Sequence, residues 1–144
     1  MRVVLDTNVF VAALLVPTGV AGLVLGAWSE HRFTLLYSTE LILELREVMA
    51  RPRLRARVKR HRVGALVRRI KAHGERIHSN RNAVQSADPK DDFLFAIVQS
   101  GAADYLVSRD IKGVLEMALL ESRTVTPEQL LAILLRSVRR SDSN

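Results

Sequence analysis

Three apolar runs in this chain are too short for helices and of the right length for buried strands, residues 2–5 (RVVL), 34–37 (TLLY) and 105–107 (YLV), and residues 123–125 (RTV) read as a short fourth strand. Between them lie stretches of helix length, at 8–15, 20–31, 40–50, 91–100 and 113–121, and a last one opens at 127. Strands separated by helices pair in parallel through crossovers rather than as hairpins. The expected fold is α/β, a three-layer α/β/α sandwich around a central, mostly parallel sheet. A length of 144 residues suits one domain with a real core. That domain is expected over 1–140, with a flexible tail at 141–144.

Local signals sharpen the element ends. Ser38 or Thr39 can cap the helix at 40–50, which must stop before Pro52. Thr126-Pro127-Glu128-Gln129 combines a cap, a proline at the first helical position and a capping-box glutamine. Trp28 and Phe33 read as core. Residues 7–29 carry no charge, long enough to span a bilayer. Pro17-Thr18-Gly19 cuts the run in half as a turn, and Asp6 sits where a signal peptide disfavours an acid, so no membrane partner is expected. The chain has no cysteine, which excludes disulfides and thiolate metal sites and suits a reducing, cytoplasmic location.

The charge is uneven. The whole chain carries +7, yet residues 51–81 alone hold twelve Lys or Arg and one acid, Glu75. Apolar Leu54, Val58, Val63, Leu66, Val67 and Ile70 recur there at helical spacing, predicting two helices broken near Val63-Gly64. A solvated amphipathic face explains most charge runs. An arm this dense in arginine beside a net-acidic remainder points further, to a polyanion such as nucleic acid.

The first strand stops at an ionisable carboxylate, Asp6. In open α/β sheets ligand sites lie beyond the carboxyl ends of the strands. Asp6 is there, and Asp110 lies just past the 105–107 strand. Asp91 and Asp92 open a helix, and Glu44 is one turn into the helix after the second strand. Taken singly, each has a plainer reading: Asp6 and Asp110 as helix caps, Asp91 and Asp92 as first-turn acids, Glu44 as a partner of Arg46 or Arg51. Taken together in a parallel sheet, they can meet at one edge. Crowded carboxylates raise each other's pKa, and a divalent cation relieves the repulsion. Oxygen-only ligands favour Mg²⁺ or Mn²⁺ over zinc. Such an ion activates water for phosphodiester hydrolysis.

VVLDTNVFVAALL, STELILELREVM, DPKDDFLFAIVQSGAADYLVSRD and RTVTPEQLLAILL, in that order, resemble the PIN-domain family, most closely the toxin components of bacterial toxin–antitoxin pairs. The resemblance is weakest over residues 51–87. It implies a metal-dependent endoribonuclease acting on single-stranded RNA. Asp6, Glu44, either Asp91 or Asp92, and Asp110 would be its catalytic and metal-binding acids, with Glu40 and Glu47 at helical spacing from Glu44. Asn8 and Ser108 would be polar helpers, Ser108 standing where a threonine is usual. Arg109 stands where many relatives have glycine. A cognate antitoxin and a second copy of the chain, as a homodimer, are the implied protein partners.

The arm supplies the candidate RNA contacts: Arg51, Arg53, Arg55, Arg57, Lys59, Arg60, Arg62, Arg68, Arg69 and Lys71. The alternative function is a non-catalytic nucleic-acid-binding module built on this arm. A phosphatase of the DxDxT type would need Asp at Asn8, and no Gly-rich loop ends in Gly-Lys, so neither phosphoryl-transfer class fits.

Overall fold

The computed structural model describes residues 1–78, 92–110 and 123–142. The expected helix at 113–121 and the polar stretch at 79–90 lie outside them. Five strands form one all-parallel sheet: β1 (Arg2–Leu5), β2 (Thr34–Tyr37), β3 (Glu75–Arg76), β4 (Tyr105–Val107) and β5 (Arg123–Val125), in spatial order β3-β2-β1-β4-β5. In register, Val3 pairs with Leu35 on one side and Tyr105 on the other. Val3, Val4 and Leu5 are fully buried, as a central parallel strand covered on both faces requires.

Among the described residues seven helices accompany the sheet: α1 (Thr7–Leu15), α2 (Val20–Ser29), α3 (Thr39–Met49), α4 (Pro52–Arg55), α5 (Arg60–His73), α6 (Asp92–Ser100) and α7 (Pro127–Asp142). The result is the expected three-layer α/β/α arrangement. The chain steps from β1 to β2 to β3 in one direction, then returns to place β4 on the far side of β1. That reversal makes the carboxyl ends of β1 and β4 the switch point of the sheet.

The cap signals act as read. Ser38 Oγ accepts from the Leu41 amide at 3.3 Å. Thr126 and Gln129 exchange hydrogen bonds of 2.8 and 3.1 Å, the capping box that starts α7. That helix continues to Asp142, so it takes in the first two residues of the expected tail. Trp28 and Phe33 are buried.

Two expectations need correction. The basic segment does not break near Val63-Gly64. α5 runs straight through, because burial of Leu66, Val67 and Ile70 outweighs the roughly 1 kcal/mol that a mid-helix glycine costs. The break falls earlier, at residues 56–59, where Val58 turns into the core. The segment's end also supplies an additional strand, β3. Its two residues, Glu75 and Arg76, are both charged and exposed, and no hydrophobic pattern marks them. Charged side chains on an edge strand discourage pairing with another chain.

The uncharged stretch folds back on itself. α1 and α2 are bent by 102° at the Pro17 turn, and no single described helix is long and apolar enough to cross a membrane. At the amino end of the sheet Arg2 joins three elements. Its guanidinium donates to the Gly101 carbonyl at 2.8 Å and to Glu75 at 2.6 Å, and its amide donates to Asp104 at 2.7 Å.

Candidate active site

β1 ends at Leu5 and the chain enters α1 at once, so Asp6 sits between a strand end and a helix start. Its amide donates to the Val107 carbonyl at 2.8 Å, which continues the β1–β4 pairing one residue further. Asp6 occupies the N-cap position of α1, but its side chain makes no capping hydrogen bond. The carboxylate turns instead towards β4.

There it meets a compact polar network. Asp6 Oδ2 accepts from Ser108 Oγ at 2.8 Å and from Asn8 Nδ2 at 3.3 Å. Asn8 Nδ2 also reaches Ser108 Oγ at 3.3 Å, and Asn8 Oδ1 accepts from the Arg109 amide at 3.2 Å. Ser108 is fully buried, and its oxygen accepts from the Asp110 amide at 3.1 Å. One hydroxyl thus fixes the Asp6 carboxylate and the turn that carries Asp110.

Glu44 enters from α3, which packs on α1. Its Oε2 accepts a hydrogen bond from Thr7 Oγ1, and Thr7 is itself buried. Thr7 is a positioning residue that sequence reasoning missed. The only available sign was a hydroxyl directly beside the strand-ending acid.

Burial pushes the Asp6 carboxyl above its ordinary value of 3.8, since a low-dielectric setting disfavours the charged form. The Ser108 hydroxyl and the Thr7 amide favour the ionised form and oppose this, while the charges of Glu44 and Asp110 raise it further. Acids from α3 and from the end of β4 therefore act on the acid at the end of β1. On α3, Glu44 is tied to this site through Thr7, and Glu47 is exposed.

Asp91 lies outside the described residues. Asp92 begins α6, which packs on α3 and β1. Among the described residues, no three His, Cys, Asp or Glu side chains are gathered closely enough to hold an ion as a preformed group.

The basic arm divides in two. Arg62 donates to the Leu14 carbonyl at 2.9 Å. Arg69 donates to Ser29 Oγ and lies over the Trp28 ring, 5.2 Å from its centroid. These two hold α5 against α1 and α2. The other eight, Arg51, Arg53, Arg55, Arg57, Lys59, Arg60, Arg68 and Lys71, are exposed.

Solved structures share this fold. A chain in the crystal structure of VapBC2 from Rickettsia felis, bound to a promoter DNA fragment, superposes with a TM-score of 0.60 at 16% identity, covering 88% of this chain and 98% of that one. FitAB bound to an IR36 DNA fragment gives 0.55 at 14% identity, covering 87% and 94%. FitAcB from Neisseria gonorrhoeae gives 0.53 at 15%, covering 87% and 97%. No curated protein matches. The PIN domain family model matches residues 2–112, a span holding Asp6, Asn8, Glu44, Ser108 and Asp110. PIN domains are in general nucleases and typically use divalent metal ions. A match over that much of the chain, with the parallel sheet and its acid-bearing switch point, places this protein in the PIN domain family.

Proposed function

We propose that this protein is a metal-dependent endoribonuclease that cleaves single-stranded RNA and serves as the toxin of a toxin–antitoxin pair. The observation that carries the reading is the Asp6 carboxylate at the switch point, not used as a helix cap and acted on by the charges of Glu44 and Asp110.

The donor set fits a hard cation. Every candidate ligand is a carboxylate oxygen, and Asp6 is held in a setting that disfavours its charge. Asp6, Glu44 and Asp110, with Asp91 or Asp92 as a fourth acid, would hold Mg²⁺ or Mn²⁺. Such an ion, when bound, activates water and stabilises the charge that develops on a phosphate. The chain's own residues orient the acids. Ser108 donates to Asp6, Asn8 braces Asp6 against the turn after β4, and Thr7 holds Glu44. The exposed arginines of α4 and α5 offer the polyanion its counter-charge.

The likeness to VapBC2 and FitAB supports an antitoxin protein as partner. A homodimer in the cytoplasm completes the proposal.

The test is incubation of an unstructured RNA with Mn²⁺, comparing wild type with Asp6→Asn. Wild type is expected to degrade the RNA and Asp6→Asn to leave it intact. Loss with both proteins would indicate a contaminating nuclease. Loss with neither would favour the non-catalytic nucleic-acid-binding module.

A further inference from the structure

Arginines from three separate helices line one concavity away from the carboxylates. Arg46 comes from the end of α3, Arg55 from α4 and Arg60 from the first turn of α5, around a space of about 370 Å³. Met49, Val58 and Val63 are its larger apolar lining residues, and no acid lines it. Among the described residues none of these three guanidinium groups has a hydrogen-bond or ion-pair partner. We propose that this concavity is a phosphate-binding subsite for the backbone of a single-stranded RNA.

Three like charges drawn to one space with no counter-charge repel one another until an anion joins them. The planar fork of arginine matches phosphate oxygens two at a time, and the apolar lining suits an adjoining sugar or base face. The start of α5 adds to the field. Its cap position is Lys59, whose side chain makes no capping hydrogen bond, and the first turn holds no acid. The helix therefore presents its positive end uncompensated. Of these residues Arg46 is new to the binding surface, because the sequence places it on α3 outside the basic arm.

The position relative to the candidate active site is set by one helix. Glu44 and the lining residues Arg46, Met49 and Ala50 all belong to α3 or its cap. At the rise of an α-helix these lining residues lie about 3–9 Å further along the axis than Glu44, and at about 100° per residue Arg46 projects from the opposite side of α3. A strand engaged at the carboxylates would therefore reach the arginines only by passing around α3, with a phosphate beyond the neighbouring one. The subsite would thus set the strand's direction across the acids. The proposal rests on the nucleic-acid reading above.

The experiment measures binding of a fluorescein-labelled, unstructured 12-nucleotide RNA to the full chain by anisotropy, in EDTA so that no cleavage intervenes. Arg46→Ala/Arg60→Ala is expected to weaken binding about tenfold or more and to flatten the log–log salt dependence by about 0.7 for each phosphate no longer neutralised. Arg136→Ala/Arg139→Ala removes the same charge from α7, which lies outside the basic arm. That pair should cost less than roughly threefold if the subsite, rather than diffuse charge, dominates. Arg46→Gln/Arg60→Gln keeps the side-chain stems and gives the same readout should alanine lower the Tm.

Wild-type affinity in the Arg46/Arg60 variants would overturn the proposal, as would an equal loss in the Arg136/Arg139 pair. So would binding of polyglutamate but not RNA by wild type. Asp6-dependent RNA cleavage with unchanged affinity in the Arg46/Arg60 pair would sink the subsite and leave the nuclease standing. Weakened affinity in that pair, with no cleavage by wild type, would do the reverse.

Discussion

At the scale of single residues, Asp6 carries a conflict between stability and chemistry. An acid whose pKa is raised on folding binds its proton more tightly in the native state than in the unfolded chain. The stability this contributes is fully present below the unfolded value near 3.8 and is lost as pH rises through the higher folded value. Glu44 and Asp110 face Asp6 and raise its pKa, while Ser108 and the Thr7 amide oppose them. In metal-free buffer, denaturant unfolding followed from pH 4 to 8 should therefore show wild type losing stability relative to Asp6→Asn, with the variant the more stable at pH 7. A wild type that gains on the variant as pH rises would contradict this reading of the site. Thr7→Val tests positioning. Valine fills the same buried space but cannot donate to Glu44. RNA cleavage should fall about 10–100-fold, as for other supporting contacts around metal ligands, while the Tm stays close to wild type.

At the scale of elements, α2 carries two glycines with opposite requirements. A Cβ on Gly22 would lie 1.9 Å from the Pro17 carbonyl oxygen, whereas one on Gly26 would meet nothing within 4 Å. Gly22 lets the helix close against the turn that separates it from α1. Gly22→Ala should destabilise by about 1–3 kcal/mol through overpacking. Gly26→Ala should stabilise by about 0.5–1 kcal/mol through helix propensity alone. Thermal melts of the two variants should move in opposite directions.

Elements were legible wherever the signal was local. The caps at Ser38 and Thr126 and the strand ends just before Asp6 and Ser108 each sit within a few residues of what identifies them. β3 was hidden because its two exposed charged residues bury nothing, and it exists only because β2 offers an edge. The course of α5 through Gly64 depended on burial decided by other helices. The Thr7–Glu44 contact joins residues 37 positions apart and exists only because α3 packs on α1. Arg62 and Arg69 looked like their neighbours in sequence, yet packing turned them to a carbonyl and an indole.

At the scale of the whole molecule, an ion that binds only the folded chain must raise its stability by mass action. With Mn²⁺ at about one hundred times its Kd, wild type should gain about 2.7 kcal/mol, and Asp6→Asn should gain far less. Equal thermal shifts in the two proteins would mean that the ion binds elsewhere. The same sheet that gathers acids at one end is fastened at the other, where Arg2 reaches Gly101, Glu75 and Asp104. A rivet at the base lets mutual repulsion at the rim be absorbed without the strands splaying. Loosening Arg2 should therefore blunt a reaction carried out at the opposite pole, through no contact with anything that reacts.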